Sequence, residues 1–290
     1  MPRDSSANSN GGGVYINQVL IKEKFIITSV TLSCRRALIL INGCLVTGKY
    51  TRQFGFGLRW ADILYHTVYL PSLNDSSTVL DLGASLAIFS HETSRIFGCR
   101  CHAVEALPEN FARIDETPSI TAYHLAICGI DGPVAIHSVA DGFSSASIDL
   151  MPGQDSCGIV EVEGITLGGL MTRLGLDRVH LLKVDIEGAE LAMFDSADDE
   201  TLLRLDQITV EFHDFMDPEQ TVEVKKIIAR LRGLGFWPIK FTRRFHGDVL
   251  FLNPRRTGIS RIEYLYARYG MRFARGIQRV ICEKFGGQRL

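Results

Sequence analysis

Short apolar runs alternate with amphipathic segments through the central part of the chain. Apolar runs with the length and residue types of strands occur at residues 79–82, 101–105, 121–127, 179–186, 207–213, 237–241 and 248–252. Between them, apolar spacings of three and four predict helices at residues 86–97, 108–114, 167–174 and 218–234, and from residue 189 onwards. Strands that alternate with helices predict an α/β fold with a doubly wound, parallel sheet.

The segments around this region follow other patterns. Strand-like pieces at residues 134–139, 146–150 and 159–165 are separated by Gly, Ser and Asp, which predicts a β-hairpin insertion. The pattern of residues 14–75 predicts a small β/α subdomain. It includes a helix over residues 60–70, which ends at Pro71. The chain therefore divides into a disordered tail (1–13), an amino-terminal subdomain (14–75), a main domain (76–254) and a helical tail (255–290).

Charge is unevenly distributed along the chain. The formal net charge is −2, which argues against a nucleic-acid-binding protein that relies on bulk positive charge. Residues 255–290 nevertheless hold nine basic and two acidic residues. Apolar residues recur there at helical spacing, at Ile262, Leu265, Tyr269, Phe273, Ile277 and Val280. The pattern predicts a basic amphipathic helix that packs on its own domain, packs on a second subunit of a homo-oligomer, or contacts an anionic membrane surface.

Cysteine usage and the amino-terminal pattern point to the cytoplasm. The seven cysteines include no CxxC pair, and no Cys/His cluster has zinc-finger spacing, so reduced thiols are expected. The amino-terminal segment is polar, without a basic start that leads into an apolar stretch, so no signal peptide is expected. Two apolar runs between residues 25 and 46 are split by Arg35 and Arg36, and each is too short to span a bilayer.

The segment LLKVDIEGAE, residues 181–190, combines strand character with charge. Lys183, Asp185 and Glu187 occupy every second position, so on a strand they point to one face while the apolar residues between them point to the other. A charged row on a strand that otherwise has buried character is costly unless those groups are paired or used in function. Because ligands of open α/β sheets bind beyond the carboxyl ends of strands, Asp185 is a candidate site residue.

A second candidate site follows the strand in TVLDLG, residues 78–83. Gly83 and Ala84 allow a sharp turn, and the next helix offers free N–H groups to a ligand. The following strand ends at Glu105, about twenty residues later, where an acid can hydrogen-bond the hydroxyl groups of a ribose. The alternative is that Glu105 is the solvated end of a strand. The order of turn and acid favours a nucleoside-binding site.

These motifs together resemble one known family. VLDLGAS, VEALPEN, HLLKVDIEGAEL and ITVEFHD are similar to the FkbM family of S-adenosylmethionine-dependent methyltransferases over residues 78–254, with KVDIEGAE as the most specific match. The resemblance implies a seven-stranded, Rossmann-like methyltransferase sheet and methyl transfer to oxygen, often of a sugar hydroxyl. By position, Asp81, Gly83, Ala84 and the neighbouring Ser85 would bind the methionine part of the cofactor, and Glu105 its ribose. Asp185 would face the transferred methyl group.

The loop departs from the usual family pattern D-x-G-A-N-x-G at two positions. Ser85 replaces the asparagine and Ala87 replaces the last glycine. The added methyl group of Ala87 is compatible with a glycine that serves helix packing, or it crowds the cofactor. A catalytically silent cofactor-binding or scaffold protein is therefore the main alternative to an enzyme. A nicotinamide oxidoreductase is disfavoured because the loop lacks G-x-G-x-x-G.

The residues themselves indicate how the chemistry would proceed. On a strand Lys183 lies about 7 Å behind Asp185, where it can tune the carboxylate or hydrogen-bond to it. Asp185 or His213 would take the proton of the acceptor, and Glu211 and Asp214 flank His213 as potential orienting carboxylates. Alternatively, His213 only caps backbone groups. Asp185, Glu187 and His213 would also suit a divalent ion, but separation in sequence gives no geometric support, so no metal is expected.

The expected function is that of a cytoplasmic, S-adenosylmethionine-dependent O-methyltransferase. Its acceptor would be a hydroxyl group of a carbohydrate or glycoconjugate, with no nucleic-acid partner. Lys183, Asp185 and His213 are the expected catalytic residues.

Overall fold

The computed structural model describes residues 50–55, 58–139 and 156–271, together with four strands within residues 15–46 and one at residues 145–147. Side chains are described for residues 50–55, 58–137 and 158–271. The predicted disordered tail at residues 1–13 and the part of the helical tail beyond Met271 lie outside the described residues.

The described strands and helices follow the chain in this order. The strands are β1 Tyr15–Ile21, β2 Phe25–Leu32, β3 Arg36–Ile41, β4 Cys44–Val46, β5 Thr51–Phe54, β6 Trp60–Ile63, β7 His66–Tyr69, β8 Thr78–Leu82, β9 Arg100–Glu105, β10 Ile120–His124, β11 Ala126–Ile127, β12 Gly132–Val139, β13 Ser145–Ser147, β14 Ser156–Ile165, β15 Leu181–Val184, β16 Gln207–Val210, β17 Trp237–Lys240 and β18 Val249–Leu252. The α-helices are α1 Ile88–Phe97, α2 Pro108–Phe111, α3 Leu167–Arg173, α4 Glu190–Ser196, α5 Asp199–Leu203, α6 Thr221–Gly233, α7 Pro254–Thr257 and α8 Arg261–Leu265.

The central sheet has seven strands in the order β10-β9-β8-β15-β16-β18-β17. The first five are parallel, and β18 is antiparallel to both of its neighbours. The predicted seven-stranded α/β sheet is thereby confirmed, and its carboxyl edge lies at the ends of β8, β9, β15 and β16. The strand order changes direction between β8 and β15, which is where open α/β sheets bind ligands.

Apolar residues cover both faces of the central sheet. On one face, Leu82, Leu182 and Val184 join a core with residues of α3, α4, α5 and α6. On the other, Val79 and Leu181 pack with α1 and with β6 and β7. Lys183 is buried on this second face, opposite Leu182 and Val184, as predicted, whereas Asp185 and Glu187 follow the end of β15. Strands of the amino-terminal sheet thus occupy part of the layer that helices fill in an ordinary doubly wound fold.

The amino-terminal strands β1 to β7 form an antiparallel meander in sequence order. The predicted helix at residues 60–70 is wrong, because β6 and β7 form a hairpin there. Its two-residue turn consists of Leu64 and Tyr65, both with positive φ (49° and 70°), and the Asp62 side chain accepts a hydrogen bond from the backbone N–H of Tyr65 at 2.9 Å. Hairpin turns of this kind ordinarily carry Gly or Asn, so the sequence lacked the usual signal.

The predicted hairpin insertion is present. β12 pairs antiparallel with β13 and β14, and the short β11 joins β14 to complete a four-stranded sheet. Two central strands are shorter than predicted, since β15 ends at Val184 and β16 at Val210. Asp185 and His213 therefore lie in the connections that follow these strands.

The described residues after β18 pack where the amino-terminal sheet meets the central sheet. Ala267 and Met271 are buried in a cluster with Trp60, Tyr69 and Ile239. The predicted helix is confirmed for α8. The described residues of its predicted apolar face are exposed, Ile262 by 81%, Leu265 by 51% and Tyr269 by 57%, and the rest of that face lies outside the described residues. No helix in the described part of the chain has the length and apolar character needed to cross a bilayer.

Candidate active site

The turn after β8 lies directly against the turn after β15. The backbone N–H groups of Gly83 and Ala84 both donate to the carbonyl of Val104, at 3.0 and 2.9 Å. Gly83 has φ +70°, and a Cβ placed on it would lie 1.7 Å from the carbonyl oxygen of Asp185. Only glycine fits there, because any side chain would overlap the backbone of the neighbouring turn. The glycine therefore brings the predicted cofactor turn beside Asp185.

Ser85 and Ala87 both adopt the left-handed backbone conformation, with φ of 51° and 55°. The asparagine and glycine that are usual in the family tolerate this conformation better than serine and alanine. The methyl group of Ala87 is completely buried in the apolar cluster that includes Phe89, so it packs in the core. The two departures thus fall on strained backbone positions.

Replacing Ala87 with glycine is expected to leave the free energy of unfolding nearly unchanged, because relief of the left-handed strain, about 1–2 kcal/mol, offsets the loss of a buried methyl group, about 1 kcal/mol. Chemical denaturation of the two proteins measures this change. Ala192→Gly, at an exposed right-handed position in α4, is the matched control and should lower stability by about 1 kcal/mol. Equal destabilisation by both substitutions would contradict the strain argument.

Glu105, at the end of β9, holds the loop that follows β8. One carboxylate oxygen accepts the N–H of Ser85 at 2.7 Å, and the other accepts the N–H of Leu107 at 2.9 Å. The residue is buried, and this burial raises the pKa of Glu105 despite the two backbone donors. Glu105 is therefore a buried end of its strand and contacts the predicted cofactor loop; its bond to the ribose stays a prediction.

Asp81 and Lys183 form a buried pair beneath the two turns. Asp81 accepts hydrogen bonds from the backbone and the hydroxyl of Ser90, at 3.2 and 2.7 Å, and its other oxygen lies 3.3 Å from Lys183 Nζ. Lys183 donates to the carbonyls of Leu82 and Gly83, at 3.2 and 2.6 Å. Burial lowers the pKa of Lys183, but the Asp185 and Asp81 carboxylates outweigh it and the pKa is raised. The ammonium group of Lys183 therefore holds the turn at Gly83 in place.

Asp185 lies between cationic and imidazole groups at the open edge of the sheet. One oxygen is 3.5 Å from both Lys183 Nζ and His66 Nε2, and the other is 3.8 Å from His213 Nε2. Its side chain is 28% exposed, so an acceptor can approach it. Burial raises the pKa of Asp185, but Lys183 and the two histidines lower it far more, and the carboxylate is ionised.

His213 is oriented by the carboxylate of Glu190, which lies 23 residues away in the sequence. His213 Nδ1 is 3.0 Å from Glu190 Oε1, and both side chains are buried. The expectation that Glu211 or Asp214 orients His213 is wrong for Asp214, which bonds to the backbone N–H and Nδ1 of His246 at 2.8 and 2.7 Å. Glu190 also accepts the N–H groups of Ile186 and Gly188, so it holds the turn after β15.

The remaining acids of the cluster have raised pKa values. Glu187 has φ 51°, and its carboxylate lies 3.3 Å from His213 Nε2. Burial and the neighbouring carboxylates raise the pKa of Glu187 to about 7, and burial likewise raises that of Glu211. Burial opposes protonation of His213, but Glu190, Glu187 and Asp185 raise its pKa to about 10. Several carboxyl groups therefore crowd around one imidazole at this edge of the sheet.

His66 is a site residue that no sequence pattern indicates. It lies on β7 of the amino-terminal sheet and is buried, with Nδ1 3.5 Å from the hydroxyl of Thr209 and its ring edge-on to Phe89. Two groups of three side chains bring metal-ligating atoms within 4.8 Å of one another: His66, Asp185 and Glu211, and Asp185, Glu187 and His213. The fold thus supplies the proximity that separation in sequence could not indicate.

The predicted residues come together as one connected region. Asp81, Lys183, Asp185 and His213 are joined by the contacts above, and Glu105 is connected to them through the loop. A separate cavity of about 370 Å³ lies between α6 and β17, lined by Lys225, Arg232, Lys240, Arg268 and His246 among others, and none of the predicted site residues lines it.

Solved structures that are similar to this chain share 11–14% sequence identity with it. Methyltransferase FkbM from Methylobacillus flagellatus KT is 13% identical over 62% of this chain and 44% of its own, with a TM-score of 0.40. Fibrillarin from Aeropyrum pernix, in complex with S-adenosylmethionine, is 12% identical over 82% of this chain and 99% of its own, with a TM-score of 0.39. At these scores the likeness carries no statement about substrate. Proteins with curated descriptions give no match.

The family comparison is more specific. The model of the methyltransferase FkbM domain matches residues 81–237, which is more than half of the chain. The match includes the glycine turn after β8, the end of β9 and the turns after β15 and β16. The chain therefore belongs to the FkbM family of S-adenosylmethionine-dependent methyltransferases.

Proposed function

We propose that this protein transfers the methyl group of S-adenosylmethionine to a hydroxyl oxygen of a carbohydrate or glycoconjugate. The observation that supports this most directly is the contact of Gly83 with the backbone of Asp185. It places the cofactor turn beside a partly exposed carboxylate that Lys183 and His213 flank. A methyl group bound at the turn would then face an acceptor bound at Asp185.

The loop after β8 would hold the cofactor. Backbone groups of Gly83, Ala84 and Ser85 would contact the methionine part, and Glu105 would accept hydrogen bonds from the ribose hydroxyls. Asp81 is completely buried, so it would act by fixing the start of α1 and Lys183. Glu105 accepts the N–H groups of Ser85 and Leu107 and a hydrogen bond from the Asn110 side chain, which leaves acceptor capacity for a ribose hydroxyl.

The reaction requires alignment and the loss of one proton. The acceptor oxygen attacks the methyl carbon, the carbon–sulfur bond breaks, and the sulfonium becomes the neutral thioether of S-adenosylhomocysteine. Holding the oxygen in line with the carbon–sulfur bond supplies much of the rate. The hydroxyl proton would pass to water on the side of Asp185 and His213, and these two side chains would orient the hydroxyl group.

Two measurements test the function. Calorimetric titration of the full chain should show binding of S-adenosylmethionine and its demethylated product, but not of a nicotinamide dinucleotide. Incubation with methyl-labelled donor and fractionated extract should then label a carbohydrate-containing product at oxygen. Binding without any labelled product would favour the silent cofactor-binding alternative that Ser85 and Ala87 suggest. Absence of binding at millimolar concentration would exclude the cofactor site.

The carboxyl-terminal segment is proposed to contact an anionic membrane surface, which would suit a glycolipid acceptor. The support is the exposure of Ile262, Leu265 and Tyr269 beside the basic residues Arg261 and Arg268. Cosedimentation with phosphatidylserine vesicles should be strong at low salt, weaken as salt increases, and disappear on truncation after Pro254. Equal binding to neutral vesicles would contradict it. A homo-oligomer that covers this face would appear in light scattering.

A further inference from the structure

The cluster around His213 has the geometry of a cation site. His213 Nε2 lies 3.3 Å from Glu187 Oε2 and 3.8 Å from Asp185 Oδ1. Metal–ligand bonds of about 2.1 Å place neighbouring ligand atoms about 3.0 Å apart at right angles and about 3.4 Å apart in a tetrahedron. The ligating atoms of the three residues all lie within 4.8 Å of one another, so small movements of the side chains would let a single ion bridge them.

The hydrogen bond of His213 to Glu190 holds the imidazole in an orientation that suits metal binding. His213 is buried, and its Nδ1 is bonded to the buried Glu190, which leaves Nε2 facing the two carboxylates. A histidine that binds metal ordinarily donates its other N–H to a carboxylate or a carbonyl, which fixes the ring and the tautomer. Among the described residues, Nε2 has these carboxylates as neighbours and makes no hydrogen bond.

The charges favour the same conclusion. This edge of the sheet holds four carboxyl groups, those of Asp185, Glu187, Glu190 and Glu211. The nearby Lys183 and His66 both lie against the second oxygen of Asp185, so its first oxygen remains for an ion. The side chains of Asp185 and Glu187 are 28% and 37% exposed, which leaves room for water or an acceptor to complete the coordination.

We propose that Asp185 Oδ1, Glu187 Oε2 and His213 Nε2 bind one divalent cation, Mn²⁺ or Mg²⁺, with Glu190 as the residue that orients the histidine. Two carboxylates and one imidazole form an oxygen-rich donor set that suits these ions. The proposal departs from the expectation from sequence that no metal is bound.

The catalytic use of the ion rests on the proposed methyl transfer, whereas its binding does not. The ion would take the acceptor oxygen into its coordination sphere and lower the pKa of the hydroxyl, so that the proton leaves to water as the oxygen attacks the methyl carbon. Asp185 and His213 would then promote loss of the proton indirectly, by holding the ion that lowers the pKa of the hydroxyl.

Direct titration of the full chain with Mn²⁺, without donor or acceptor, tests the site by calorimetry and by electron paramagnetic resonance. One ion per chain is expected. Glu187→Gln and His213→Ala should each weaken binding at least about 10-fold. Glu190→Gln should weaken it about 10- to 100-fold although Glu190 is not a ligand. Glu163→Gln, in an exposed pair with Arg173, is the matched control and should leave binding unchanged.

The outcomes separate this inference from the proposed function. Failure of the folded chain to bind Mn²⁺ at millimolar concentration, or equal binding by the Glu187→Gln and His213→Ala variants, overturns the site. Circular dichroism of each variant establishes that it is folded, and the partly exposed Glu187 gives the variant least prone to unfold. Ion binding without methyl transfer would leave the metal site in place and remove the proposed function. Methyl transfer without ion binding would do the reverse.

Discussion

Replacing Asp185 with asparagine is expected to lower turnover at least about 100-fold while S-adenosylmethionine still binds. The substitution keeps the size of the side chain but removes the negative charge that faces Lys183, His66 and His213. Without that charge the site no longer orients the acceptor hydroxyl for the loss of its proton. Transfer of labelled methyl to the acceptor and calorimetric titration of the donor measure the two effects separately.

Asp177→Asn is the matched control for this variant. Asp177 is fully exposed and lies 3.5 Å from Arg204, so the same chemical change there should leave turnover and donor binding unchanged. Thermal unfolding of both variants shows whether either is destabilised. An Asp185→Asn protein that is folded and retains full turnover would show that the carboxylate has no part in the reaction.

Replacing Gly83 with alanine is expected to lower the free energy of unfolding by about 3 kcal/mol or more and to abolish donor binding. The added Cβ would lie 1.7 Å from the carbonyl oxygen of Asp185, a distance at which one of the two turns must move. The left-handed backbone of Gly83 adds about 1–2 kcal/mol, and overpacking against immobile backbone adds a similar amount or more. Denaturant unfolding measures the loss of stability, and donor titration measures the loss of the site.

Gly175→Ala separates the two contributions. Gly175 has φ +62°, close to that of Gly83, but a Cβ there would meet no atom within 4 Å. This variant should therefore lose only about 1–2 kcal/mol and should bind the donor normally. If Gly83→Ala cost no more than Gly175→Ala, the contact between the two turns would be unimportant for stability.

Short-range patterns in the amino-acid sequence are sufficient to predict the main sheet and the positions where chemistry is expected. Strand periodicity located the seven central strands, and charges at alternate positions in residues 181–190 marked Asp185. The KVDIEGAE motif identified the family, which the match over residues 81–237 confirms. These features are local along the chain: side-chain alternation and turn residues follow from backbone geometry over a few residues. The local pattern also predicts a helix where residues 60–69 form a hairpin, because the turn of this hairpin lacks glycine and asparagine.

The groups that surround Asp185 can be identified only in the folded chain. His66 comes from a separate sheet, and Glu190 rather than a neighbour of His213 in sequence orients the imidazole. The same packing shows why Gly83 is required and where the strain of Ser85 and Ala87 lies. These relations depend on how strands far apart in sequence are placed beside one another, and on distances of a few ångströms between side chains. Local periodicity carries no information about either.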